Sequence, residues 1–171
     1  MPHLDAAYNL ARWLARNDAD AQDIVQEAFL RAFKSFAGFR GTSGRPWLLA
    51  IVRNTCYTWL RQHRSSQFEV PYDDEVTAEA AGDPYPVDRD TNPETILAAS
   101  EERRLFDAAL EELPIEFREA VVLRDVEELS YKEIANVAAI PIGTVMSRLA
   151  RGRRMLFAAL TRMRKGSGDG M

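Results

Sequence analysis

The chain of 171 residues has one cysteine, Cys56, and two histidines, His3 and His63. A single cysteine excludes an intrachain disulfide and fits a reducing compartment. Its apolar neighbours at helical spacing mark it as a small buried side chain and not a nucleophile. Neither histidine has a cysteine or histidine partner at ligand spacing, so no zinc site is expected. Asp18, Asp20 and Asp23 resemble the start of a calcium loop, but the sixth-position glycine is missing and Phe29 stands where the bidentate glutamate belongs, so no metal of that kind is expected either. There is no phosphate-cradling glycine loop and no histidine-supported nucleophile. The chain therefore offers catalysis no foothold, and neither an enzyme nor a cofactor is expected. No apolar run approaches the roughly 18 residues of a membrane span. No basic segment followed by an apolar one opens the chain, so a cytoplasmic protein without a secretory signal is expected. Alternating strand patterns of useful length are also lacking.

What is present is helix-forming periodicity and segregated charge. The formal net charge is −4, which is the wrong sign for a nucleic-acid binder, but its distribution matters more than its sum. Residues 1–66 carry nine basic and five acidic side chains. Residues 67–100 carry one basic side chain, Arg89, and nine acids. Residues 101–171 carry twelve of each, with the acids crowded before Glu133 and the bases after Thr144. Two cationic surfaces separated by an acidic strap is the pattern to be explained.

Leu4, Ala7, Tyr8, Ala11 and Leu14 outline a first helix. Asp18 or Asp20 is a candidate cap for a second, with Val25, Ala28, Phe29, Ala32, Phe33 and Phe36 as its apolar stripe. Glycine and turn formers break the pattern over residues 38–44. A third helix is expected from about Pro46 to Gln62, with Leu48, Ile51, Val52, Thr55 and Trp59 on one face and Arg53, Asn54, Tyr57, Arg61 and Arg64 on the other. Residues 67–92 turn acidic and proline-containing with few large apolar groups, the composition of a flexible linker. Asn92-Pro93-Glu94 then supplies a cap, a proline for the first helical position and a first-turn acid. Pro114 opens a further helix, stacked by Phe117, Val121 and Val122. The reading is an all-α chain: a three-helix unit over residues 1–66, an acidic linker over 67–92, a four-helix unit over 93–165 and a disordered tail over 166–171.

The last two helices carry the clearest signal. Ser130 and Glu133 form an S-x-x-E capping box, Ile134, Val137 and Ala138 follow at helical spacing, and Ala139-Ile140-Pro141 makes a short turn. Beyond it Val145, Leu149, Gly152, Leu156 and Leu160 share one stripe, while Ser147, Ala150, Arg151 and Arg154 lie opposite. From Thr144 to Lys165 there are seven basic residues and no acid. A helix-turn-helix whose second helix has an apolar back and a cationic front fits a DNA major groove. The arginine–Asn54–Tyr57 face of the third helix, with Trp47, fits either contact with phosphates and exposed bases or a solvated surface. Asp20, Asp23, Gln26 and Glu27 fit an ordinary solvated helix face or a partner surface.

These segments in order resemble the extracytoplasmic-function sigma factors, the small two-domain specificity subunits of bacterial RNA polymerase within the sigma-70 family. DADAQDIVQEAFLRAF (Asp18–Phe33) is similar to the family's region 2.2, and Phe39–Arg64 to regions 2.3 and 2.4. Leu113–Leu156 is similar to region 4. The resemblance implies that Asp20, Asp23, Gln26, Glu27 and Leu30 grip the β′ clamp helices of the core enzyme, with the β flap as a second contact. It implies that Phe39, Arg40, Arg45, Trp47, Arg53, Asn54, Tyr57 and Arg61 take part in capturing an unpaired base of the −10 element. For the −35 duplex it implies Thr144, Met146, Ser147, Arg148, Ala150 and Arg151, with Arg153 and Arg154 on phosphates. It also implies an anti-sigma partner, and a linker that occupies the RNA path of the polymerase. Three departures stand out, one being that Met146 and Ala150 occupy recognition-helix positions that often carry larger polar or aromatic groups. Members of the family commonly begin well upstream of the position equivalent to Met1, so either a truncated first helix or a misplaced start is expected. Ala139 occupies a turn position that commonly carries glycine, so a different turn geometry is expected there. The other readings are a helix-turn-helix repressor or activator dimerising through residues 113–165, for which no dimerisation helix is evident, and an enzyme built around Cys56 or the acids of the second helix, for which no supporting geometry is evident.

Overall fold

Why the first unit folds is visible in its small residues. In the computed structural model, which describes residues 3–39, 44–63 and 93–168, helix α1 (Leu4–Ala15) buries Ala7, Leu10, Ala11 and Leu14 on one stripe. It stops at Arg16, whose φ of 61° is left-handed. Helix α2 (Asp18–Ser35) is capped by Asn17, whose side-chain oxygen accepts the Asp20 amide at 3.1 Å. The expected caps, Asp18 and Asp20, instead lie in the first turn, where a negative charge suits the helix dipole. Helix α3 (Gly44–His63) buries Leu48, Leu49, Val52, Thr55, Cys56 and Leu60, and all three helices pack against one another.

The α2 stripe differs from the expected one. Ala21, Ile24, Val25, Ala28 and Ala32 are buried, whereas Phe33 is 85% and Phe36 67% exposed. Three alanines let α2 approach its neighbours closely, so the bulky aromatics rotate out to the edge. On α3, Trp59 is only half-buried and stacks on His63 at 4.0 Å, while Cys56 and Leu60 take the inner positions.

Four helices form the second unit: α4 (Pro93–Glu112), α5 (Ile115–Val121), α6 (Tyr131–Ala138) and α7 (Ile142–Gly168). Between α5 and α6 the chain makes a π-helical turn, Val122–Val126, closed by the Glu127 amide on the Val122 carbonyl at 2.9 Å. The capping box is present as read: Glu133 N donates to Ser130 Oγ at 3.1 Å and Ser130 N to Glu133 Oε1 at 3.0 Å. Ala139 does adopt the left-handed conformation, φ 56° and ψ 49°, contrary to the expected change of geometry. The Ile140 amide reaching back to the Ala135 carbonyl at 3.1 Å closes a Schellman-type end and holds it there. Helix α7 continues to Gly168, so residues 166–168 are helical where the sequence reading begins a tail. The linker assigned to residues 67–92 lies outside the described residues, as do Arg40 and Arg64.

The two units share one apolar core. Helix α1 packs on α5 and the π turn, and α3 packs on α6, so Leu10, Leu14, Val52, Val121, Leu123 and Ile134 belong to a single cluster. Among the described residues there is no strand and no helix long and apolar enough to cross a membrane.

Candidate nucleic-acid interface

The helix-turn-helix is set by α5, against which α7 packs through Val145, Leu149 and Gly152. At Gly152 the approach is so close that a Cβ would meet Val121 Cγ2 at 2.9 Å and the Phe117 carbonyl at 3.1 Å. Glycine is therefore required by contact here, not by backbone angle. This seat turns Thr144, Met146, Ser147, Arg148, Ala150 and Arg151 to a half-covered outer face and leaves Arg154 exposed. The Ser147 hydroxyl donates to the Thr144 carbonyl at 3.1 Å.

Several of the α7 cations are held in ion pairs. Arg153 pairs with Asp125, Arg162 with Glu112 and Arg164 with Glu102, so carboxylates of α4 and the π turn answer three of the seven basic residues. The hydrogen bond that Arg153 donates to Asp125 is the main cause of its raised pKa. Glu116 of α5 is pushed up by burial, an effect the nearby Arg148 opposes.

On the first unit the expected −10 residues fall into three groups. Phe39 and Trp47 stack tilted at 4.8 Å, and Phe36 meets the same indole edge-on at 6.4 Å. This aromatic corner stands at the junction of α2 and α3. Asn54 and Arg61 are exposed further along α3. The third group departs from expectation. Arg53 and Tyr57 do not face solvent. The Arg53 guanidinium lies 4.1 Å over the Tyr57 ring, and its Nε donates to Glu119 Oε1 at 2.7 Å, while the Tyr57 hydroxyl donates to Glu119 Oε2 at 2.7 Å. Burial first, then the Glu119 charge and hydrogen bond, raises the Tyr57 phenol far above its usual value. Arg45 likewise donates to the carbonyl oxygen of Glu127, and to its Oε2 at 3.2 Å.

Glu119 and Glu127 are therefore site residues that sequence reading missed. A signal exists for the first: Glu119 shares a helical stripe with Ile115, Val122 and Leu123, and a carboxylate in an apolar stripe is informative. Glu127 has no such signal. It leaves the π turn just before Glu128, a non-glycine residue at φ 58°.

The α2 residues expected to contact the polymerase lie at the protein surface. Asp23, Gln26 and Glu27 are exposed, Asp20 is half-exposed and Leu30 is 64% exposed. Glu27 pairs with Arg31 one turn on at 2.7 Å. No group of three potential metal ligands occurs among the described residues.

Residues 1–66 match the family described as Sigma-70 region 2, and residues 103–156 the family described as Sigma-70, region 4. The ECF RNA polymerase sigma factor SigE of Mycolicibacterium smegmatis is 40% identical over 156 residues, covering 90% of this chain and 57% of that protein. The ECF RNA polymerase sigma-E factor of Haemophilus influenzae is 37% identical over 153 residues, covering 86% of this chain and 77% of that protein. Among solved structures, the sigma factor RpoE from Bartonella quintana, crystallised with the anti-sigma factor NepR, is similar with a TM-score of 0.67 and 28% identity, over 92% of this chain and 91% of that one.

Proposed function

This chain belongs to the extracytoplasmic-function sigma factors of the sigma-70 family, and from that membership we propose that it directs core RNA polymerase to specific promoters. The observation that carries the reading is the occurrence, in order on one chain, of a region 2 match over residues 1–66 and a region 4 match over residues 103–156. The acidic and apolar outer face of α2, from Asp20 through Asp23, Gln26 and Glu27 to Leu30, grips the core enzyme. Phe39, Trp47, Arg53, Asn54, Tyr57 and Arg61 hold an unstacked base of the −10 element, with Arg40 and Arg45 on the adjoining backbone. A pocket that favours an extruded base lowers the cost of strand opening without a nucleotide fuel. Helix α7 reads the −35 duplex, with phosphate contacts setting register and base-edge contacts setting sequence. The proposed units are residues 1–66 and 93–165, with the acidic 67–92 strap lying in the RNA path. An anti-sigma partner, by analogy with the complexed relative, is part of the proposal, as is a cytoplasmic location.

The test is run-off transcription with purified core enzyme and genomic promoter fragments. Core plus this chain is expected to yield discrete promoter-dependent transcripts that core alone does not. A folded chain that leaves core activity unchanged on every fragment contradicts the proposal.

A further inference from the structure

We propose that α7 selects thymine in the −35 duplex by its methyl group, through Met146 with Ala150 beside it. That α7 meets this duplex at all rests on the function proposed above; what it selects there is the new element. Helical spacing divides the outer face of α7 into two sides. Ile142, Met146 and Ala150 stand four residues apart and form one apolar row. Thr144 with Arg148, and Ser147 with Arg151, form the polar side of the same face. Both sides lie away from the buried stripe of Val145, Leu149 and Leu156.

The apolar row is not core. Ile142 is 45% exposed, and Met146 and Ala150 are half-covered. Among the described residues, the partly buried apolar side chains that α7 packs on the core are Leu160 and Met163, and neither Met146 nor Ala150 joins them. Met146 also sits in the first turns of α7, the part of a recognition helix that meets base edges. Arg148, Arg151 and Arg154 accompany the row on the same helix, so DNA is the partner whose chemistry suits the whole face.

Base chemistry then decides what the row can read. Of the four bases only thymine presents a methyl group in the major groove. Methionine and alanine side chains have no donor for the acceptors of guanine or adenine, and covering those acceptors without a partner is costly. Against a thymine methyl the same side chains bury apolar area and leave no polar group unpaired. The arginines of the polar side suit guanine O6 and N7 instead. One face thus asks for thymine on one side and guanine on the other.

The test uses the reconstituted holoenzyme on a promoter that it transcribes. Each thymidine of the −35 element is replaced in turn by deoxyuridine, which removes the methyl and keeps every hydrogen-bonding group. At one or two positions the wild-type affinity is expected to fall about fourfold, the value of one buried methyl group. Met146→Ala holoenzyme is expected to bind the thymidine promoter about fourfold more weakly than wild type and to lose nothing further when that methyl is removed. Arg151→Ala is expected to bind more weakly yet stay sensitive to the methyl, which separates a general loss of DNA contact from loss of this one. The wild-type scan needs no variant, so a misfolded Met146→Ala would not spare the proposal. Protection of a −35 element that lacks thymine, or that tolerates deoxyuridine at every position, overturns methyl reading and leaves the proposed function standing. A full deoxyuridine penalty retained by Met146→Ala overturns the assignment to Met146. A holoenzyme that protects no −35 duplex contradicts the proposed function, and methyl reading falls with it.

Discussion

Arg153 of α7 and Asp125 of the π turn form a two-point ion pair, Nη2 to Oδ1 at 2.7 Å and Nε to Oδ2 at 3.2 Å. The pair is largely covered, with side-chain exposures of 18% and 30%. It ties the middle of the recognition helix to the turn that follows α5, so Arg153 orients the helix-turn-helix instead of standing ready for phosphate. Arg153→Ala is therefore expected to lower unfolding stability by about 1–2 kcal/mol, the range of a partly covered charged hydrogen bond. By contrast, Arg151→Ala or Arg154→Ala is expected to reduce holoenzyme affinity for the promoter and to lower the salt slope by about one each. Chemical denaturation and salt-dependent promoter binding separate the two roles.

Gly152 is a contact glycine. Alanine gains about 1 kcal/mol of helix propensity at an exposed helical site. Here its methyl would press on Val121 and on the Phe117 backbone. Overpacking of this kind costs about 1–3 kcal/mol, and backbone cannot swing aside as a side chain can. Gly152→Ala is expected to lower the melting temperature and weaken −35 binding together, as read by thermal denaturation and footprinting.

Ala139 presents the opposite case. Its left-handed conformation costs roughly 1 kcal/mol, and glycine removes that cost while adding unfolded-state entropy. Ala139→Gly is expected to stabilise the fold by about 0.5 kcal/mol, visible as a higher denaturation midpoint. A loss of stability would mean that the turn relaxes in solution.

Tyr57 sets an alkaline limit. Its phenol is raised by burial first and by Glu119 second, above the unfolded value of about 10. Above that pH the unfolded chain loses the proton while the folded chain retains it. The stability Tyr57 contributes is thus fully present below about pH 10 and falls as pH rises beyond it. Tyr57→Phe is expected to cost about 1 kcal/mol at neutral pH and to remove this alkaline decline. Denaturation midpoints between pH 8 and 11 measure both effects.

Cys56 is wholly buried and its thiol is raised, by burial first and by the Glu119 charge next. A protonated, enclosed thiol is a poor nucleophile. Native protein is expected to resist iodoacetamide at pH 8 and to react fully once unfolded. Rapid native labelling would contradict that burial.

Much of this was legible in the chain. The capping box, the proline openings at Pro93 and Pro114 and the stripes of α1 and α7 all act within a few residues, where local rules hold. Reading failed where distant partners decide. Phe33 and Phe36 share a stripe with Val25 and Ala28, yet the alanines of α2 set the packing distance and leave the aromatics outside. Asn17 took the cap from two equally plausible aspartates because only its side chain closes on Asp20 N. The hydrogen bonds between the two units were least legible, since Glu119 meets its partners across 66 and 62 residues and Glu127 meets Asn9 across 118. A surface arginine and a buried, ion-paired one have the same local sequence signature.

The most direct test of the account is permanganate footprinting of a promoter that the reconstituted enzyme transcribes. With core polymerase and this chain together, thymines of the −10 element should become reactive while the −35 duplex is protected, and Asn54→Ala should abolish the reactivity without releasing the chain from core. The chain without core should do neither. Protection of an intact duplex by the chain alone, with no melting when core is added, would contradict it.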